Sequence, residues 1–233
     1  MSLFRRRLMT DATAGKEILL HQWRAENGFQ GGKWRDEVRD CKYSHPIDWE
    51  HAGATIENGY VITSEWRTLH TSDFSNIAEK FGKFWCIELE VGSVGVSGNG
   101  KPRYLIDVCT STNEPNSVSE SLYIRDNNIL SRLNLNYRAA PSYDELGVNG
   151  IPYDGLLYTT ISFGIDNVGG GYGRHFIKVG TEKTYNSAAF SPKDIGRELT
   201  WSRGLTFIGR TYTDGTYDSV YPLLIKRISI YRL

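Results

Sequence analysis

From Leu157 to its last residue the chain is a succession of β-branched and aromatic runs separated by glycine, asparagine and aspartate. Leu157-Tyr-Thr-Thr-Ile-Ser-Phe-Gly-Ile-Asp166 leads into Val168-Gly-Gly-Gly-Tyr-Gly173, and Arg174-His-Phe-Ile-Lys-Val179 follows. Leu205-Thr-Phe-Ile-Gly-Arg210 and Leu223-Leu-Ile-Lys-Arg-Ile-Ser-Ile-Tyr231 complete the series. Such side chains fit a pleated, half-buried surface, and the residues between them fit turns. Successive strands with no helical period between them commit this part of the chain to an antiparallel, all-β sandwich.

The earlier sequence agrees. Ile18–Trp23 reads as a first strand, Gly59–Trp66 as another, and Lys83–Val91 alternates after its start. Trp85, Ile87, Leu89 and Val91 share one face of that strand, with Phe84, Cys86, Glu88 and Glu90 on the other. Arg103–Cys109, Ser121–Arg125 and Ile129–Leu133 are further strands, the last two joined by a tight turn at Asn127-Asn128. Phe74, Ile77 and Ala78, with Ser72 or Asp73 as cap, predict one short helix between Thr71 and Phe81. Tyr137–Gly155 holds two prolines, three glycines and three acidic residues and reads as a long irregular loop. With 233 residues and no repeat or linker, the chain is expected to form one domain over 16–233, preceded by a distinct segment at 1–15.

That opening segment sets Leu3, Phe4, Leu8 and Met9 around Arg5, Arg6 and Arg7. It is too small to form a core, so it is read as an arm that docks on a partner subunit or on its own domain. It carries positive charge but no apolar run of the kind a signal peptide needs, which predicts a leaderless chain made in the cytoplasm. No run is long enough to cross a membrane as a helix. Acidic and basic residues balance at 27 each, which argues against a nucleic-acid partner held by its backbone charge.

Few residues point to chemistry. Cys41, Cys86 and Cys109 form no Cys-x-x-Cys pair, and the histidines at 21, 45, 51, 70 and 175 have no ligand spacing, so no metal or cofactor is expected. There is no Gly-x-Ser-x-Gly elbow. Val168–Gly173 feeds a strand rather than a helix and is therefore a hairpin, not a phosphate cradle. Glu88 and Glu90 project together, as a glycosidase pair would, but a solvated strand face is the better explanation, and no catalytic residue is assigned. Tyr143, Tyr153 and Asp154 in the 137–155 loop, and Tyr212, Asp214, Tyr217 and Asp218 in a second loop, set aromatic faces beside carboxylates. That mixture suits a sugar, whose C–H surface stacks on a ring while its hydroxyls donate to carboxylates, and it is equally ordinary turn chemistry.

The order of these segments resembles the concanavalin A-like, laminin G-like jelly-roll family. Trp34-x-Asp36 after the first strand, the strand at 83–91, Thr160–Ile165 with His175–Val179, Leu205-x-x-Ile-Gly209 and Ile225–Tyr231 carry the likeness. It implies a two-sheet antiparallel jelly-roll whose closing strand pairs near the first. In related laminarinase-type enzymes three acidic residues share a strand face; here Gly92 stands where the third would be. The opening Ser2–Met9 is similar to the starts of virion and fibre proteins of Bacteroides phages, including the crAss-like group. This likeness implies a head-fibre or capsid-decoration protein, anchored to capsid or other virion subunits by Leu3–Met9. It would be homo-oligomeric and hold host or mucosal glycans weakly. A free lectin-like protein is the alternative reading, and a divergent glycoside hydrolase a more distant one.

Overall fold

The structure is a computed structural model and describes residues 17–63, 68–71, 82–94, 103–109, 118–125, 128–134, 143–149, 156–186, 189, 206–208 and 222–233. These residues form an antiparallel two-sheet jelly-roll sandwich. The only helical turn among them is a 3-10 turn at Ala25–Asn27. The arm at 1–15 and the helix expected within 71–81 lie outside the described residues, apart from Thr71, which ends a strand.

The first sheet contains β1 (Ile18–Arg24), β4 (Thr55–Glu57), β5 (Tyr60–Thr63), β7 (Trp85–Ser93), β12 (Leu156–Gly169), β13 (Tyr172–Val179), β14 (Glu182–Tyr185) and β16 (Leu223–Arg232). Its order is β14-β13-β12-β7-β16-β5-β4, with β1 also on β16. One edge of β16 is shared end to end: Leu223–Ile225 pair with β5, and Arg227–Arg232 pair with β1. The closing strand therefore lies beside the first, as the family likeness implied.

The second sheet runs β11 (Tyr143–Asn149), β10 (Asn128–Asn134), β9 (Val118–Arg125), β8 (Arg103–Cys109), β15 (Thr206–Ile208), β6 (Thr68–Thr71), β3 (Trp49–Ala52), β2 (Lys33–Trp34). Residues from both sheets make one core. Trp85, Ile87, Leu89 and Val91 of β7 and Ile228 and Ile230 of β16 meet Leu69, Ile106, Leu122, Ile124 and Ile129 of the second sheet. The alternation read in 83–91 thus selects the buried face correctly. Within that core, Ser131 Oγ lies 2.7 Å from His175 Nε2, a hydrogen bond that ties β10 to β13 across the sandwich.

Within the strand expected over 59–66, Tyr60–Thr63 lies in the first sheet and 64–66 lie outside the described residues; Thr68–Thr71 belongs to the second sheet. Val61 and Thr63 are buried, and so are Leu69 and Thr71, so each short piece supplies its own inward face to a different layer. One sequence expectation is corrected: the 137–155 segment is not wholly a loop, because β11 pairs with β10 from Asn149↔Asn128 to Tyr143↔Asn134. Gly147 is what disguised it. A Cβ there would lie 2.8 Å from Leu130 Cδ2, so this glycine makes room for a neighbour's side chain rather than turning the chain. Glycine does act as a turn residue at Gly170 and Gly171, whose φ values of 60° and 80° close the β12–β13 hairpin.

Candidate functional site

Most of the recognition residues expected from sequence lie outside the described residues: Tyr153, Asp154, Tyr212, Asp214, Tyr217, Asp218 and the arm residues Leu3 to Met9. Tyr143 is described in its backbone alone and begins strand β11 rather than sitting in a rim loop. The structure draws attention instead to one edge of the first sheet, which the sequence reading passed over.

Ile161, Phe163 and Ile165 of β12 and His175 and Ile177 of β13 point into the core, so the intervening residues face outward. The outward set includes Asp166, Tyr172 and Phe176, and β14 adds Lys183 and Tyr185. Tyr185 lies opposite Phe176, and Lys183 opposite Lys178. From β14, two side chains reach back across β13 to one acceptor on β12. Tyr185 Oη donates to Asp166 Oδ2 at 2.6 Å, and the Lys183 ammonium pairs with the same oxygen. Phe176 is roofed in the process: the Lys183 ammonium sits 4.1 Å from its ring centroid and the Tyr185 ring 6.3 Å away. This explains how an outward-facing phenylalanine is only 3 % exposed.

The electrostatics follow from that crossing. Burial opposes the Lys183 charge, but hydrogen bonds to Asp166 and Tyr185 outweigh it and raise its pKa. Burial, reinforced by the Asp166 hydrogen bond, raises the Tyr185 phenol, which remains a donor at neutral pH. The edge thus presents ring surface, a carboxylate and an ammonium in a fixed arrangement. Tyr172 is 48 % exposed and Tyr185 40 %, so both rings reach the surface of this edge.

Toward the sheet centre, Glu88 and Glu90 of β7 face outward as the alternation predicts. They are held by cations from β16: Arg227 Nη2 lies 3.1 Å from Glu88, and Lys226 Nζ lies 2.9 Å from Glu90. Burial raises the pKa of Glu88 against the opposing pull of Arg227 and Lys178. Cys86, beside them, is a free thiol whose pKa burial pushes well up, which makes it an unreactive packing residue at neutral pH. No cluster of three or more histidine, cysteine, aspartate or glutamate residues suited to a metal occurs among the described residues.

No protein-family model matches the sequence, and no curated protein is similar to it. Several solved structures share its fold. One is a botulinum neurotoxin type C structure, whose uptake into cells is described as depending on two ganglioside molecules. Its TM-score is 0.59 at 13% identity, over 93% of this chain and 47% of that one. A second is the receptor-binding domain of botulinum neurotoxin type G, with TM-score 0.55 at 12% identity, over 91% of this chain and 47% of that one. A third is the binding domain of botulinum neurotoxin DC in complex with rat synaptotagmin II, with TM-score 0.54 at 12% identity, over 92% and 48%. What they share with this chain is the fold. The chain spans about half the length of those structures.

Proposed function

We propose that this chain is a recognition module that binds carbohydrate at the β12–β14 edge of its first sheet. The observation that carries the reading is the exposed Tyr185 against the Asp166–Lys183 pair, with the exposed Tyr172 farther along β13. Tyrosine faces cover the C–H surface of a sugar ring, while the carboxylate and ammonium hold its hydroxyls. That the fold recurs in neurotoxin receptor-binding domains, one of them linked to gangliosides, supports a binding role for a scaffold of this shape. A glycan array probed with the whole protein tests it. Binding should appear and weaken about tenfold in Tyr185→Ala, the loss expected for one stacked ring. Tyr43→Ala, an exposed tyrosine outside this edge, should leave it unchanged. Binding to no glycan, or equal binding by the Tyr185 variant, would count against this site.

The finer reading is that the module is displayed on a phage particle, with Leu3 to Met9 as its anchor to capsid or neighbouring virion subunits. Its support is the arm's composition: Phe4, Leu8 and Met9 can bury apolar area while Arg5, Arg6 and Arg7 form charge-assisted hydrogen bonds to acidic groups. Repeated copies would strengthen weak sugar contacts through multivalency. A chain lacking residues 1–15 should fold normally and fail to enter particles. Undiminished incorporation of the truncated chain would remove the anchoring role.

A further inference from the structure

At the other side of the first sheet, the chain between β2 and β3 holds a constellation that a recognition role does not use. Asp36 is 1 % exposed and its carboxylate is fully engaged. Oδ1 accepts from the backbone N–H of Gln22 at 3.2 Å and of Val38 at 3.0 Å. Oδ2 accepts from the backbone N–H of Ile47 at 3.0 Å and lies 2.6 Å from His21 Nδ1. His21, on β1, is fully buried, and its ring is stacked on Trp23 with centroids 5.7 Å apart and planes 14° from parallel. The far side of that ring meets a hydroxyl: Ser44 Oγ lies 2.6 Å from His21 Nε2.

The atoms occur in a meaningful order. A carboxylate accepts only, so the proton between Asp36 and His21 sits on Nδ1. In the neutral ring Nε2 then offers a lone pair, and the Ser44 hydroxyl donates to it. Carboxylate to Nδ1, Nε2 to hydroxyl, with the carboxylate fixed by backbone N–H groups, is the arrangement by which a serine is activated for acyl transfer. Only the hydroxyl end approaches the surface. Ser44 is half-buried, and its neighbours Lys42, Tyr43 and His45 are exposed. The ring of the adjacent Tyr43 carries two cations, the Lys42 ammonium 4.6 Å and the Arg232 guanidinium 4.9 Å from its centroid, so positive charge gathers on the residue next to the nucleophile.

We propose that Ser44, His21 and Asp36 form a nucleophilic site for carboxylic esters. His21 Nε2 takes the Ser44 proton as Oγ bonds to the ester carbonyl carbon, and the carbonyl oxygen takes up the negative charge. Collapse of that intermediate breaks the carbon–oxygen bond to the leaving group, and His21 protonates the departing alkoxide. Water then attacks the Ser44 acyl ester, giving its proton to His21, and the acid leaves as Oγ regains a proton. The sum is ester plus water to acid plus alcohol, with no other reactant. Asp36 keeps the imidazole in the required tautomer and orientation.

The site stands apart from the carbohydrate edge and is tested separately. The whole protein is treated with an alkyl fluorophosphonate probe, the labelled peptide is identified by mass spectrometry, and p-nitrophenyl acetate hydrolysis is followed. A single label on Ser44 is expected, with hydrolysis above buffer that falls at least about 10²-fold in Ser44→Ala. Ser44→Ala removes one half-buried hydroxyl, and an unchanged circular dichroism spectrum and melting midpoint would show that the fold is intact. If that variant fails to fold, the position of the label on the unaltered chain decides. No label on Ser44, or hydrolysis unchanged in a folded Ser44→Ala protein, overturns the proposal.

Discussion

Gly164→Ala is expected to prevent the first sheet from forming, with a loss of more than about 4 kcal/mol, the range reserved for changes the native structure cannot absorb. Gly164 lies on β12 opposite Cys86 of β7, at the middle of the sheet. A Cβ at this position would sit 2.0 Å from the carbonyl oxygen of Trp85, 2.9 Å from its carbonyl carbon and 3.0 Å from the Cα of Cys86. Every one of those atoms is backbone, so no rotamer change relieves the overlap. The strands can separate only by breaking the ladder between them. On the inward side of the same crossing Trp85 and Phe163 meet edge to face, with centroids 5.6 Å apart, and that contact would be pulled open too. Gly147→Ala is the informative comparison. Its Cβ would meet only the terminal methyl of Leu130, which can swing aside, so the expected cost is about 1 kcal/mol. Urea unfolding followed by tryptophan fluorescence measures both. A Gly164→Ala protein with a midpoint close to the parent's would show that the two strands are not so closely apposed.

The same contrast explains what could be read from the sequence. Where alternation is regular, the sequence is enough: Trp85, Ile87, Leu89 and Val91 announce a buried face, and they are buried. Val168–Gly173 announces a hairpin because three glycines precede a fresh apolar run, and β12 and β13 do pair across it. Short edge strands give no such signal. Glu182-Lys-Thr-Tyr185 has no apolar stripe, yet it forms β14, because an edge strand needs pairing on one side only. Missing β14 meant missing the Asp166–Lys183–Tyr185 cluster, which exists only because β14 lies beside β13.

The Asp36–His21–Ser44 constellation was hidden by a different device. Strict alternation along Ile18–Trp23 would place Leu20 and His21 on opposite faces, one in the core and one in water. The pairing of β1 with β16 shifts register between Leu19 and His21, and both Leu20 and His21 become fully buried. A bulge cannot be read from residue types alone. Nor can the meeting of residues 21, 36 and 44, since no local spacing connects a strand residue to two positions on a later loop. Trp34-x-Asp36 was visible only as part of a family likeness; its physical meaning is that the Trp34 indole donates to the Arg24 carbonyl at 3.0 Å while Asp36 turns inward two residues later.

Asp36→Ala should cost about 3–5 kcal/mol, the usual penalty for removing one partner of a buried, hydrogen-bonded charge. The carboxylate gathers the N–H groups of Gln22, Val38 and Ile47, residues from a strand and from both ends of the 36–48 loop. Without it, three donors and the His21 ring lose their acceptor at once, and each buried donor left unpaired costs about 1–3 kcal/mol unless water reaches it. Some relief is available, because a second acidic residue braces the loop from outside. Asp48 Oδ1 accepts from the N–H of Asp36 at 3.0 Å, and its two oxygens pair with Arg35 and Arg39. That outer contact does not involve the lost side chain, so the loop should loosen rather than detach, which holds the expected cost below the sum of its parts. Asp36→Asn keeps the volume and one acceptor oxygen and should fall between the parent and the alanine variant. Ser44→Ala, by contrast, removes a half-buried hydroxyl at the margin of the same network and should lower stability by only about 1 kcal/mol, because water can take its place on His21 Nε2. Chemical denaturation of the three variants distinguishes the roles: Asp36 governs the shape of the loop and thereby the posture of His21, whereas Ser44 contributes little to either. A folded Asp36→Ala protein within about 1 kcal/mol of the parent would refute that assignment, because a buried carboxylate holding three N–H groups, one of them fully buried, cannot be removed so cheaply.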